Sequence, residues 1–397
     1  MVVRSERRGL GALLPLVAVV VFVETSFYTA ITPLLPHYVS SLHLTRSGAG
    51  ILVAAYPIGT LVSAVPSGAF AGRAGVKKAV VAGLALMSAA TLAFGFGRTE
   101  LVADTARFAQ GVGGSLIWAG GLAWLAAAAA PGRRAATLGI AFGAAVAGAV
   151  AGPVVGVIAS RIGTRGAFAA ATVAGACLVL ATLAVPACQG GHESPSLRHA
   201  LGALGDLRLG VGLWLTFLAG LAFGIVNVIA PLRLGHLGAG AVVIGVTFLA
   251  AAAVETAVAP VVGRIADHRG RRRPVTVAVA AAIAATLLIP FAASASVLVV
   301  VLVVAVPCYG SLYVPAFALA SDGAARRRLH QGLAFGLSNF AWAGGQAMGS
   351  AGAGALAQAA GDTLPFAVLA AIFSATLALL SPSARRVVSR AFGEAPG

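Results

Sequence analysis

Three ionisable residues, Glu24, Arg107 and Glu255, lie inside stretches that are otherwise apolar. A charge at membrane depth costs at least a few kcal/mol and demands a partner, water or a function. A carboxylate in a low-dielectric interior is harder to ionise than in water and can exchange a proton near neutral pH. Glu24 is the first candidate for proton exchange and Glu255 the second. Glu24 stands about 20 Å along a helix beginning near Gly11, and Arg107 about 9 Å into one beginning at Leu101. The two depths agree within a turn, so contact or a water bridge between Glu24 and Arg107 is expected. The competing readings are an Arg107 that snorkels outward or pairs with Asp104, and a Glu255 tied to Arg264 or the basic loop below it.

The elements that must position these charges are membrane helices. The 397-residue chain is 59% hydrophobic and only 10% charged, whereas soluble domains carry about 25% charged residues. A span needs roughly 20 apolar residues. Twelve stretches qualify: 10–36, 46–71, 78–97, 101–129, 135–160, 165–187, 209–234, 241–266, 275–294, 297–321, 330–358 and 363–381. The first runs too long for a signal peptide and has no small-residue cleavage site after its apolar core. The resulting fold class is all-α, with twelve transmembrane helices in two pseudo-symmetric six-helix bundles. The expected domains are 1–187 and 209–397, the latter with a short cytoplasmic tail, joined by a polar cytoplasmic linker at 188–208. In that linker Leu197, Leu201 and Leu204 fall at helical spacing, which fits either an amphipathic surface helix or a solvated connection.

Charge sets the orientation. With both termini inside, only Arg46, Arg98, Arg161, Arg165 and Arg233 of the 27 basic residues fall outside, and Arg107 lies within the membrane. Cytoplasmic loops carry the excess of Lys and Arg, so the N-in, C-in arrangement is expected. The net charge of +16 then belongs to the inner membrane surface, which argues against nucleic acid as a partner. The cysteines Cys177, Cys188 and Cys308 have no metal-ligand spacing, and no metal site or cofactor is expected.

The halves repeat. Pro36, Gly50, Gly68 and Gly75 recur as Pro231, Gly245, Gly263 and Gly270 at one offset. Gly139, Gly148 and Gly152 recur as Gly336, Gly345 and Gly349 at nearly the same offset. Two parallel six-helix repeats are a transporter design.

Three motifs carry a family resemblance. The loop after span two reads Gly68-Ala-Phe-Ala-Gly72-Arg73-Ala-Gly75-Val-Lys77-Lys78, and the loop after span eight reads Gly263-Arg-Ile-Ala-Asp267-His-Arg269-Gly270-Arg-Arg272-Arg273. Span four contains Arg107-Phe-Ala-Gln110-Gly111-Val-Gly113-Gly114. Span five contains Gly148-Ala-Val-Ala-Gly152-Pro153-Val-Val-Gly156. Together they resemble the major facilitator superfamily, with the span-five motif similar to that of its proton-coupled drug antiporters. The first loop departs from the pattern, because Gly72 stands where an aspartate is expected. Asp267 keeps that position in the second. The small-residue faces suit close helix approach, and the span-five glycines, with Pro153 removing a backbone donor, suggest a pliable seam between the halves.

The resemblance implies that spans one, four, seven and ten line a central cavity. Candidate substrate contacts there are Glu24, Tyr28, Arg107, Ser115, Trp118, Asn227, Tyr309 and Tyr313. Tyr56, Asn339, Trp342 and Gln346 join from spans two and eleven. Aromatic walls with a carboxylate suit a lipophilic or cationic solute. The expected function is proton-coupled export of a small organic or drug-like compound by a monomer in the bacterial inner (plasma) membrane. The expected partners are the small-molecule substrate, protons and the lipid bilayer. An importer or facilitator of a metabolite is the alternative, and a non-transporting receptor or membrane enzyme a remote one. No nucleophile–base pair or metal cluster stands out in the sequence, so an enzyme is not expected.

Overall fold

A computed structural model describes residues 2–129, 133–186, 205–270, 272–327, 329 and 331–380. The linker at 188–208 lies outside the described residues except at its end, where Asp206 accepts from the Arg208 and Leu209 amides and caps the next helix. The helices are α1 (Val2–Thr29), α2 (Leu35–Ser41), α3 (Arg46–Ala74), α4 (Val76–Phe96), α5 (Glu100–Ala128), α6 (Arg134–Ile162) and α7 (Thr164–Ala184), then α8 (Leu207–His236), α9 (Ala241–Arg269), α10 (Arg272–Leu288), α11 (Ala295–Gly310), α12 (Tyr313–Arg326), α13 (Gln331–Ala360) and α14 (Thr363–Leu379). The fold is all-helical, and each of the twelve expected spans coincides with a helix or a pair of helices. Among the described residues, ten helical segments are long and apolar enough to cross a membrane, and Thr363–Leu379 is a shorter apolar one.

Proline and glycine explain where spans divide. Span one turns through a 3-10 segment at Thr32–Leu34, with Pro33 early in that turn and Pro36 at the start of α2. Span ten breaks between Gly310 and Tyr313, just after Pro307, which leaves α11 and α12 as separate pieces. The first break sits where proline withdraws a backbone donor from the helix ladder, and at the second Pro315, in the first turn of α12, has no N–H to offer the Ser311 carbonyl. The turns from α3 to α4 and from α9 to α10 are made by Gly75 (φ 101°) and Gly270 (φ 77°). That left-handed backbone is one that other residues rarely adopt, so the repeated loop glycine has a conformational cause. Lys77, in the first turn of α4, donates to the Leu183 and Val185 carbonyls at 2.8 and 2.7 Å and closes the end of α7.

The chain divides into two compact units, Met1–Leu44 with Ala55–Ser194, and Thr45–Ala54 with Pro195–Gly397. In the first, α6 lies along α1 through Gly148, Gly152 and Gly156. A Cβ at Gly148 would strike the Phe22 carbonyl, one at Gly152 the Thr29 hydroxyl and the Ser26 carbonyl, and one at Gly156 the Ala30 carbonyl. In the second, α13 lies along α8 in the same way. A Cβ at Gly345 would strike the Phe217 carbonyl and one at Gly349 the Leu221 carbonyl. Phe217 and Leu221 are the repeat partners of Phe22 and Ser26, so the duplication extends to individual backbone contacts. The span-five glycines therefore pack against α1, inside the first unit, a different partner from the inter-half seam expected from the sequence. In the repeat register that pairs Phe22 with Phe217 and Gly50 with Gly245, Glu24 corresponds to Ala219 and Tyr56 to Ala251, both fully buried.

The second unit also takes in the first turns of α3. Arg46 pairs with Asp362 at 2.8 Å and donates to the Ala357 carbonyl, while the Ser47 amide donates to Gln358. Gly50 and Gly354 meet backbone to backbone beside them.

Candidate functional site

The first unit holds a polar cluster in an otherwise apolar interior. It is built from α1, α3, α4 and α5. Glu24 is 4% exposed and Arg107 1%. The Tyr56 hydroxyl, from α3, donates to Glu24 Oε1. The Trp118 indole N–H, from α5, donates to Oε2 at 3.0 Å. The Thr25 hydroxyl lies 2.9 Å from Oε2 and 3.0 Å from the Val21 carbonyl, and can turn its hydrogen to either. Three donors in reach of a buried carboxylate offset part of what it loses with its hydration shell.

Arg107 forms no ion pair with Glu24. Its guanidinium lies over the Tyr56 ring, 5.0 Å from the centroid, and 5.9 Å from that of Phe94. It donates to Gln110 Oε1 at 2.9 Å and to the Tyr28 carbonyl at 3.4 Å, and Gln110 in turn donates to Thr91 at 3.0 Å. The Tyr56 ring thus links the two charges, with the arginine on its face and the glutamate at its hydroxyl. Cation–π attraction in a desolvated site contributes about 2 kcal/mol. Arg107 is enclosed and neither snorkels outward nor pairs with Asp104. Its Nε has no hydrogen-bond partner among the described groups.

Glycines make this arrangement possible. Gly111 lets α3 approach α5 so closely that a Cβ there would collide with the Tyr56 carbonyl and stand 2.9 Å from the Thr60 amide nitrogen. Gly113 does the same for α4, meeting Gly83. Gly114 leaves room for the pair itself: a Cβ would stand 2.6 Å from the Tyr56 hydroxyl and 2.7 Å from Glu24 Oε1. The glycines after Gln110 each clear a different neighbour. Composition hid the roles of Gly114 and Thr25, and Tyr56 entered the sequence reading only as an auxiliary from span two. The signal available was the depth of Tyr56, opposite Gly111.

Tyr28 packs its ring 4.7 Å from that of Tyr56. Trp118 is half-buried and its ring lies 5.5 Å from Phe142 of α6. Ser115 is buried on α5. Gly68 and Arg73 are exposed near the end of α3, and a Cβ at Gly68 would meet no described atom within 4 Å. Pro153 lies within α6, beside Gly152.

The remaining candidates lie in the second unit. Tyr309 is fully buried, shares a 2.9 Å hydrogen bond with Thr286 and stacks on Phe373. These contacts give it a packing role. Tyr313 is half-buried and stacks between Phe223 and Phe317. Asn227 on α8 and Trp342 on α13 are half-buried, and Asn339 is exposed. Gln346 is buried. Glu255 on α9 lies flat on Gly310 at the break between α11 and α12, where a Cβ would collide with its carboxylate. Glu255 and Arg264 do not pair. Gly263 packs loosely near Val314. The side chains of Asp267 and Arg269 lie outside the described set.

A sequence profile described as Major Facilitator Superfamily matches residues 17–350. Multidrug resistance protein 2 of Bacillus subtilis (strain 168) is 33% identical over 87 residues, 22% of each chain. An uncharacterised transporter of the same superfamily type from Schizosaccharomyces pombe (strain 972) is 27% identical over 145 residues, 35% of this chain and 32% of its own length. The matches thus span 22% and 32% of these curated relatives. Among solved structures, a bacterial homologue of the human lysosomal transporter Spinster, crystallised inward-facing and unoccupied, superposes with a TM-score of 0.76 at 14% identity, over 98% of this chain and 99% of that one.

Proposed function

The chain belongs to the major facilitator superfamily, and we propose that it is a proton-coupled antiporter exporting a small organic compound of lipophilic or cationic character. The observation that carries this reading is the buried Glu24 with its three donors, joined through the Tyr56 ring to Arg107. A carboxyl held so far from water, with donors that offset part of the lost hydration, suits a proton carrier. Arg107 keeps the site neutral overall while Glu24 is ionised, and leaves it positive when Glu24 is protonated. That change disfavours a cation nearby, so proton and cationic substrate compete, as exchange requires. The resemblance of one stretch to a protein named for multidrug resistance supports a broad organic substrate.

In this reading the protein works by alternating access, Glu24 loads a proton from the outer side, substrate meets Trp118 and Tyr28 in the first unit, and Tyr313, Asn227, Asn339 and Trp342 are the candidate contacts of the second. Both termini face the cytoplasm of a bacterial plasma membrane, and the working unit is one chain. The test is flux in proteoliposomes under an imposed pH gradient, with a panel of lipophilic cations. Uptake into vesicles acidic inside supports antiport. Uptake only when the gradient is reversed favours the importer reading, and binding without movement favours a receptor.

Glu255 takes a structural part in this proposal. Among the described residues no donor reaches it as three reach Glu24, and its carboxylate fills the space left by Gly310 at a helix break. The Glu255→Gln protein is expected to keep gradient-driven flux within about threefold of wild type, because the shape of the contact is kept. A loss as large as that of a Glu24 variant would overturn this assignment.

A further inference from the structure

We propose that the Trp118 indole is the sensor of Glu24 protonation, the contact through which a bound proton alters the aromatic surface offered to substrate. The inference rests on the antiport reading and names the side chain that couples its two halves. It starts from what each partner of the carboxylate can do when that carboxylate becomes a carboxylic acid.

The three donors differ in kind. A phenol hydroxyl donates or accepts, so Tyr56 can reverse its bond and take the proton of a neutral Glu24. The Thr25 hydroxyl already has the Val21 carbonyl at 3.0 Å as a second acceptor and can turn to it. An indole N–H is a donor only. If the added proton sits on Oε2, that oxygen becomes a hydroxyl, a poorer and uncharged acceptor for the indole N–H. If it sits on Oε1, Oε2 becomes a carbonyl oxygen, and the bond loses the charge assistance that makes such bonds roughly twice as strong as neutral ones. In both cases the 3.0 Å contact from Trp118 weakens, while the other two donors have a compensating move.

Trp118 is also placed to pass the change on. Glu24 and Tyr56 are buried, whereas Trp118 and its neighbour Phe142 are each half-buried, with rings 5.5 Å apart. The pair presents aromatic surface beside a buried charge, which suits a flat, apolar or cationic solute. Gly114, one turn earlier on α5, keeps Tyr56 and Glu24 against the helix that carries Trp118. The ionisable side chains around Glu24 are Tyr28 from α1, Tyr56 from α3 and Arg107 from α5, and α6 carries ionisable side chains only near its ends, at Arg134 and Arg161. Glu24 is the carboxylate among them, and the proton-carrying role is assigned to it.

The test labels the four tryptophans with 5-fluorotryptophan in the purified full chain and follows fluorine NMR against pH. The Trp118 signal is assigned from Trp118→Phe, or from Trp118→Tyr should that protein be poorly behaved. It is expected to move along one titration curve in wild type and to stay fixed at its low-pH position in Glu24→Gln. A signal that does not titrate, or that titrates alike in Glu24→Gln, overturns the inference. The second arm measures ethidium binding. Wild-type affinity is expected to rise at least about fivefold from low to high pH, the lower end of ordinary site–site coupling, and the rise to shrink in Trp118→Phe to the part that the charge of Glu24 and Arg107 supplies without the indole. A rise of undiminished size in Trp118→Phe also overturns the inference. Wild-type protein that ignores ethidium at every pH counts against the proposed substrate class, while the fluorine titration still decides the role of Trp118.

Discussion

Glu24→Gln protein is expected to fold, insert and bind solute, yet to show no solute accumulation driven by an imposed pH gradient. The substitution is close to isosteric, and its amide fits the site: the carbonyl oxygen can accept from Trp118 while the NH2 group donates to the Tyr56 hydroxyl, which can accept. The structural cost is therefore small. What is lost is the ability to release and rebind a proton. A carrier locked in its neutral form still exchanges labelled solute for unlabelled solute down equal gradients. The measurement pairs the two assays on one preparation. Exchange without gradient-driven flux is the expected pattern, and undiminished gradient-driven flux would falsify Glu24 as the proton site.

The second large effect is on assembly of the first unit. Gly111→Val should destabilise it at the upper end of the roughly 1–3 kcal/mol seen for overpacked sites. The obstruction is backbone, the Tyr56 carbonyl and the Thr60 amide, which cannot rotate away as a flexible side chain does. Moving α3 off α5 would also draw Tyr56 from Glu24. Gly139→Val is the matched control, since a Cβ there meets nothing among the described residues within 4 Å. Thermal unfolding in detergent should separate the two, with Gly139→Val near wild type and Gly111→Val far below it or no longer monodisperse. Equal midpoints would show that α3 and α5 tolerate separation.

Much of the architecture was legible because a membrane span announces itself through composition. The length of each helix, the Gly75 and Gly270 turns and the internal repeat all follow from local rules. The depth estimate placed Glu24 and Arg107 near one level, and the structure brings them into one cluster. Their linkage was not readable, because a tyrosine from a third helix mediates it and depth says nothing about azimuth. The glycine faces were visible as motifs, yet their partners were not: Gly148, Gly152 and Gly156 meet α1, a pairing that depends on how six helices are arranged in the plane. Tyr309 illustrates the same gap. Its spacing with Tyr313 suggested a shared face, but the break after Gly310 places one ring in the core and leaves the other partly exposed.

The alanines at positions 219 and 251 bear on electrical work. Where duplication could have left a second carboxylate and tyrosine, the other repeat has two methyl groups, so in the proposed cycle one proton is exchanged per turn. Swapping one proton for one singly charged cation moves no net charge across the bilayer. A membrane voltage, worth about 2.3 kcal/mol per charge per 100 mV, then does no work on the exchange. Clamping the potential with valinomycin and potassium should leave the flux of such a cation unchanged, while export of a neutral compound should respond to it. The pH difference alone would set how far a cationic solute can be concentrated, tenfold for each unit.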